Sequence, residues 1–147
     1  MPGEPICTFI AFCDLVITEA GTGKNSLIGT FPSLAAPSFP FPVPQITIHV
    51  TISNFGIGSK DSSVAVNLKQ QSTGVVVGSR AVQLPVIWQK SLSSMGSSFN
   101  LNMPFQNVIF PAAGAYLCEI LFDGESIGDR ILELKLLAPQ QAQLPPA

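Results

Sequence analysis

The sequence is poor in charged residues. Asp, Glu, Lys and Arg make up only 11% of its 147 residues, against about a quarter in ordinary soluble domains. The net charge is −2 and no basic cluster is present, so binding to nucleic acid through phosphate neutralisation is not expected. With so few ionised groups, the surface must show uncharged and apolar atoms to water. It is therefore either rich in Ser, Thr, Asn and Gln or partly covered by a partner, most simply a second copy of the chain.

Long apolar runs are also lacking. The longest, ICTFIAFCDLVI at 6–17, is interrupted by Asp14 and falls short of the roughly 20 residues that a membrane-spanning helix needs. It lacks the positive leader and small-residue cleavage site of a signal peptide. The three cysteines are an odd number, unlike a secreted disulfide framework. We expect buried free thiols in a cytoplasmic protein that binds no membrane, although Cys7 and Cys13 could pair in an oxidising compartment.

Residue sets for catalysis and metal binding are sparse. The one histidine, His49, and the three cysteines match no zinc-ligand spacing. No serine lies in G-x-S-x-G, so a hydrolase built on His49 is the least favoured interpretation. Asp123, Glu125 and Asp129 could bind Ca²⁺ weakly, but the EF-hand spacing is absent and solvated hairpin charges are the usual outcome. We therefore expect no catalytic residue, metal or cofactor.

The stretch GTGKNS at 21–26 resembles the end of a phosphate-binding loop. That motif, G-x-x-x-x-G-K-[ST], would place its first glycine at Thr18 and its hydroxyl at Asn25, so both ends fail. A turn explains Gly21 and Gly23 instead. The spacing predicts that strands 10–18 and 25–31 are antiparallel neighbours.

Alternation with a period of two runs through most of the chain. ITIHVTI at 46–52 places its isoleucines and valine on one face and its polar residues on the other, as a half-buried strand does. Asp-Gly at 123–124 predicts a hairpin that joins 115–123 to 126–137. No window of comparable length shows a helical stripe. The strands expected before that hairpin are 8–18, 25–31, 45–53, 62–70, 75–84, 86–92 and 97–103.

These patterns predict an all-β protein, an antiparallel β-sandwich of seven to nine strands with an immunoglobulin-like fold, and a jelly roll as the alternative. The proline-rich segment 31–44 is expected to be an extended crossover, and 91–100 to be a loop or a polar edge strand. Residues 1–138 should form one domain, and 139–147 a flexible tail.

Three residues are candidates for contact with a ligand or partner. Asp14 interrupts an apolar strand and could guard a sheet edge, bond backbone at a strand end, or line a cleft. His49 lies on the polar face of its strand, where a satisfied surface or rim histidine is expected. Trp88 is expected to pack in the core, with a ligand-stacking role as the alternative.

Two stretches carry a resemblance to a family: FCDLVITEAGTGKNSLIGTF at 12–31, followed by a link that ends in FPFPVP, and FPAAGAYLCEILFDGE at 110–125. With a Leu-alternating last strand, the chain resembles an uncharacterised bacterial family of small all-β domains of unknown function. The resemblance implies an immunoglobulin-like sandwich and supplies no catalytic residue. FPAAGAY also resembles the tyrosine corner of such sandwiches, with Tyr116 as its tyrosine.

The function expected from these observations is non-catalytic. A protein-binding or assembly domain, acting as a homo-oligomer or on another protein, fits the low charge. A module for a small ligand or carbohydrate, with Trp88 or phenylalanines as its stacking platform, is the alternative.

Overall fold

The computed structural model describes residues 4–54, 60–94 and 98–137, with the side chains of 91–94 excepted. The expected flexible tail lies outside these residues. The described elements are ten strands and one helix: β1 (Ile6–Cys13), β2 (Leu15–Thr18), β3 (Asn25–Ile28), β4 (Ser33–Ala36), β5 (Phe41–Ser53), β6 (Ser62–Gln70), β7 (Val76–Leu84), α1 (Val86–Ser94), β8 (Phe99–Phe110), β9 (Gly114–Phe122) and β10 (Glu125–Leu136).

The strands form an immunoglobulin-like β-sandwich. One sheet has the order β1-β5-β8, the other has the order β4-β10-β9-β6-β7, and β2 and β3 form a separate two-stranded ribbon. Neighbouring strands are antiparallel except β4 and β10, which pair in parallel. The alternating apolar residues of both sheets meet in one core, which includes Phe12, Ile48, Val66, Phe110, Cys118 and Leu132. The sequence prediction of the fold class is confirmed.

The tyrosine corner is present. The Tyr116 hydroxyl donates to the carbonyl oxygen of Ala112 at 2.7 Å, and its ring meets Phe110 edge to face at 4.9 Å between centroids. Because a buried hydroxyl needs a partner, this bond fixes the turn that leads into β9.

The predicted hairpin at Asp123 and Gly124 is confirmed. β9 and β10 pair around Asp123 and Gly124, which have φ values of 51° and 85°, the left-handed conformations that an Asp-Gly turn requires. The predicted pairing of 10–18 with 25–31 is confirmed only for Leu15–Thr18 and Asn25–Ile28. The expected strand 8–18 is divided by a bend at Asp14, and its first part belongs to β1, which pairs with β5.

The predicted strand at 86–92 is wrong, because residues 86–94 are helical. Pro85 has no N–H for a ladder, and its ring suits the start of a helix. The Asp61 carboxylate accepts the Val86 N–H at 3.0 Å, which caps the helix. The Gln89 amide, 1% exposed, donates to the carbonyl oxygens of Lys60 and Leu84.

The proline-rich segment 31–44 is not a crossover throughout. The four residues between Pro32 and Pro37 form β4 beside β10. Pro42 and Pro44 lie inside β5, and β1 pairs only with its later part, from Thr47 onward. The missing N–H groups of these prolines are therefore tolerated on an edge.

Candidate functional site

The most unusual feature of the fold is the β2–β3 ribbon, which follows β1. Gly21 and Gly23 have φ values of 90° and 72°, so the turn uses a conformation that glycine adopts without strain. The Glu19 N–H donates to the Lys24 carbonyl at 2.8 Å, and the Gly23 N–H donates to the Glu19 carbonyl at 3.0 Å. These N–H groups close the turn instead of pointing at a phosphate.

The ribbon lies over the outer face of the three-stranded sheet. Thr47 and His49 alternate with the core residues of β5 and point away from the sandwich interior, yet they are only 4% and 5% exposed. The Thr47 hydroxyl donates to the Asp14 carbonyl at 3.2 Å, where the chain enters the ribbon. A ribbon placed here shields polar side chains that would otherwise meet water.

The outer face of the ribbon is apolar. Leu15 pairs with Ile28 and Ile17 pairs with Ser26, and side chains at paired positions share a face. Leu15, Ile28 and Ile17 are 40%, 43% and 54% exposed. We did not predict this surface from the sequence. The signal was present in two uninterrupted apolar runs, Leu15–Ile17 and Leu27–Ile28, because consecutive apolar residues in a strand place one on each face.

A polar cleft of about 340 Å³ lies between the ribbon tip and β8, lined by Thr18, Asn25, Asn100 and Asn102 among others. The side-chain oxygen of each of the three asparagines accepts a hydrogen bond from another residue of the domain. The Thr18 hydroxyl donates to Asn25 at 2.9 Å, and the Thr51 hydroxyl donates to Asn100 at 2.7 Å.

The third asparagine, Asn102, accepts a hydrogen bond from His49 Nδ1 at 2.6 Å. An amide oxygen only accepts, so Nδ1 carries the proton. These bonds use the oxygen of each asparagine and not its –NH₂ donors, and the residues that line the cleft carry no charge.

His49 is where the sequence places it, on the polar face of β5, but it is not a surface or rim residue. It is only 5% exposed, and Phe9 meets its ring edge to face at 5.9 Å between centroids. Sequence periodicity could not foresee a second layer over that face. His49 therefore supports Asn102 from beneath the cleft.

Asp14 occupies the bend between β1 and β2, where the hydrogen bonds found are made by its backbone N–H and carbonyl groups. Its N–H donates to the Ile28 carbonyl at 2.9 Å, and its carbonyl accepts from Gln45 as well as Thr47. Its carboxylate lies against Gly29, where an added Cβ would be 2.3 Å from Oδ2. The exposed Asp14 thus fixes the base of the ribbon.

Trp88 is not a core residue. It lies on α1 with 56% of its surface exposed. Gln89 anchors α1 to the domain, and the adjacent residue, Trp88, therefore points towards solvent. The structure does not bring Trp88, Asp14 and His49 into one site.

The described residues contain no group of three or more His, Cys, Asp or Glu side chains that could hold a metal ion. Cys7, Cys13 and Cys118 are free. Burial is the main cause that raises the pKa of the Cys118 thiol to about 12, so this cysteine is a poor nucleophile at neutral pH. No helix in the described part of the chain is long and apolar enough to span a membrane.

A family model for a family of unknown function, DUF6941, matches residues 8–135. The chain belongs to this family. The match spans β1 through nearly all of β10, so the sandwich and its ribbon together are the DUF6941 domain. No curated protein matches the chain.

Several solved structures are similar to the DUF6941 domain in fold. An immunoglobulin-like protein from Pseudomonas aeruginosa is 8% identical, with 91% of this chain and 98% of that chain covered and a TM-score of 0.41. The alkylpurine DNA glycosylase AlkC from Pseudomonas fluorescens is 12% identical, with 71% and 28% covered and a TM-score of 0.45. A β-glucosidase from Listeria innocua is 10% identical, with 90% and 16% covered and a TM-score of 0.44. The chain thus spans less than a third of the length of either enzyme.

Proposed function

We propose that this DUF6941 domain is a non-catalytic assembly module that self-associates through its β2–β3 ribbon. The observation that carries the proposal is the exposed apolar face formed by Leu15, Ile17 and Ile28. A ribbon packed on a domain through one face ordinarily turns a polar face to water.

The edges of the ribbon support the same proposal. In the described part of the chain, neither β2 nor β3 pairs with a strand outside the ribbon. Natural sheets guard open edges with charged residues or proline, but the strand sequences LVIT and NSLI contain neither. The ribbon is thus competent for strand pairing with another chain.

A second copy is the partner that we propose. The face carries no charge that would require an oppositely charged partner, and an uncharged apolar face complements its own copy about a two-fold axis. The low charge of the whole chain, 11%, keeps electrostatic repulsion between two copies small.

Light scattering after gel filtration tests the proposal. The chain has a mass of 15.5 kDa, and we expect a species of at least twice that mass at tens of micromolar. Ile17→Lys should give a monomer, because it places an ammonium group on the apolar face at its most exposed residue. Ile109→Lys is the matched control, since Ile109 is equally exposed at 56% but lies on β8. A monomeric wild type, or equal masses for both variants, would overturn the proposal.

The polar cleft favours a second candidate function, the binding of a neutral carbohydrate. Its three asparagine –NH₂ groups suit hydroxyl oxygens, and its lining contains no charge. Asn100→Asp and Asn102→Asp preserve the internal acceptor oxygen but replace the –NH₂ donor with an oxygen.

Titration with methyl glycosides of glucose, galactose and mannose, followed by NMR, tests this candidate. We expect at least one glycoside to shift the side-chain amide signals of wild type, and both Asp variants to lose that shift. Asn67→Asp is the control, because the Asn67 oxygen also accepts a hydroxyl proton, from Ser79, but lies on the other sheet. Absence of any saturable shift rejects the candidate.

A further inference from the structure

A second groove, of about 360 Å³, lies on the β1 side of the ribbon. Its walls include Phe9 and Phe12 from β1, Leu27 from β3, and Phe31 just beyond the ribbon, and Arg130 of β10 also lines it. Phe12 and Phe31 stack at 6.3 Å between ring centroids. Phe9 is 49% exposed, so an aromatic surface is open to water beside a cation.

Arg130 is held in position by two contacts. Its Nη1 donates to the carbonyl oxygen of Ile10, and its guanidinium carbon lies 5.6 Å from the centroid of the Phe12 ring. A guanidinium has five N–H donors in a rigid plane, so one bond to Ile10 leaves most of them for another acceptor.

No carboxylate of the described residues forms an ion pair with Arg130. The ion pair found among the described residues joins Lys69 and Glu119. Asp129 precedes Arg130 in the same strand, where neighbouring side chains point to opposite faces. The groove therefore combines an apolar aromatic wall with a fixed cation that lacks an anionic partner in the described part of the chain.

We propose that this groove binds a carboxylate attached to an apolar group. The apolar group packs against Phe9, Leu27 and Phe31, and the carboxylate accepts the remaining Arg130 donors, because planar guanidinium and carboxylate groups match in geometry. The volume is that of a small ligand site. Such a ligand is either a free organic acid or the C-terminal residue of a polypeptide. This site is separate from the outer face of the ribbon and does not depend on self-association.

Isothermal titration calorimetry with three small probes tests the proposal: phenylacetate, its neutral isostere phenylacetamide, and acetate. We expect phenylacetate to bind at least about tenfold more tightly than either of the others, since only it satisfies both the aromatic wall and the charged donor. Its affinity should also fall with salt, because the attraction to Arg130 is screened. Equal affinity for phenylacetate and phenylacetamide, or no binding of phenylacetate at millimolar concentration, would overturn the proposal.

Two arginines provide a matched pair of variants. Arg80 also donates to a backbone carbonyl of the facing sheet, that of Pro104 at 2.6 Å, but it does not line the groove. Arg130→Gln should weaken phenylacetate binding about tenfold or more, whereas Arg80→Gln should leave it unchanged. Equal effects of the two substitutions would contradict the assignment.

Phe9→Ala gives an independent test if Arg130→Gln proves too unstable to study. Phe9 is half exposed, so its truncation should preserve the fold and still weaken phenylacetate binding. Unchanged affinity in Phe9→Ala rejects the groove as the site.

Two peptides separate the possible sources of the carboxylate. Acetyl-Gly-Gly-Phe is titrated with a free C-terminus and as its C-terminal amide. Tighter binding of the free acid than of phenylacetate identifies a polypeptide terminus, and binding of phenylacetate alone identifies a free acid. Both outcomes support a carboxylate site, whereas measurable binding of the peptide amide with the same affinity as the peptide acid contradicts one.

Discussion

At the scale of single residues, most positions that matter are explained by a hydrogen bond or a covering neighbour. The role of Tyr116 in a tyrosine corner was predictable, because proline, glycine and tyrosine lie close together at the start of a strand. The burial of His49 was not, since a period of two assigns a residue to a face but does not say what covers that face. The three asparagines of the polar cleft were also missed, because they come from two segments that only the fold brings together.

Tyr116→Phe removes the bond to the Ala112 carbonyl and leaves that acceptor unpaired. We expect it to lower the free energy of unfolding by about 1 to 3 kcal/mol, measured by urea denaturation. The ring and its contact with Phe110 are retained, so the slope of free energy against urea should not change. An unchanged midpoint would show that the tyrosine corner does not stabilise this domain.

The Cys118 thiol makes the free energy of unfolding depend on pH in the alkaline range. Its pKa rises from 9.0 to about 12 on folding, so between these values the unfolded chain loses a proton that the folded chain keeps. The free energy of unfolding should therefore fall by up to about 1.4 kcal/mol per pH unit between pH 9 and pH 12, and this contribution is fully present below pH 9.

Cys118→Ala isolates that contribution. The variant should be less stable than wild type at neutral pH, because it leaves a small cavity, but its stability should fall less steeply above pH 9. Urea denaturation at several pH values measures both slopes. Identical slopes would contradict the assignment to Cys118.

At the scale of elements, alternation and turn residues predicted most strands, and the errors have a common physical cause. The segment after β7 contains apolar residues that fit a strand as well as a helix. The helix forms instead because Pro85 precedes it, Asp61 caps it, and Gln89 bonds to Leu84 and Lys60. Asp61 and Lys60 are distant from the helix in sequence. The short β4 was missed because proline argues against ladder pairing, although the four residues between Pro32 and Pro37 all have an N–H group.

Asp61 should control the stability of α1. Asp61→Ala removes the acceptor of the Val86 N–H and should cost about 0.5–2 kcal/mol. Asp61→Asn, which keeps a capping oxygen, is the control and should cost much less. Trp88 lies on α1 and is the single tryptophan of the chain, so its fluorescence during urea denaturation reports on the helix directly. Equal losses in both variants would indicate that the cap is unimportant.

At the scale of the whole molecule, the immunoglobulin-like sandwich follows from local signals, but its functional surfaces do not. The ribbon was predicted as a pair of strands, yet its placement over the three-stranded sheet creates the exposed face, the polar cleft and the aromatic groove together. A sequence pattern describes each strand in isolation, whereas these surfaces exist only between elements.

Self-association through the ribbon is the central claim, and hydrogen exchange of the wild-type protein at two concentrations tests it most directly. If a second copy covers the ribbon at high concentration, the backbone amides of Leu15–Thr18 and Asn25–Ile28 should exchange more slowly than at low concentration. Amides of the β9–β10 hairpin should exchange at the same rate in both samples. Equal exchange of the ribbon amides at both concentrations, with light scattering showing a monomer throughout, would contradict the account.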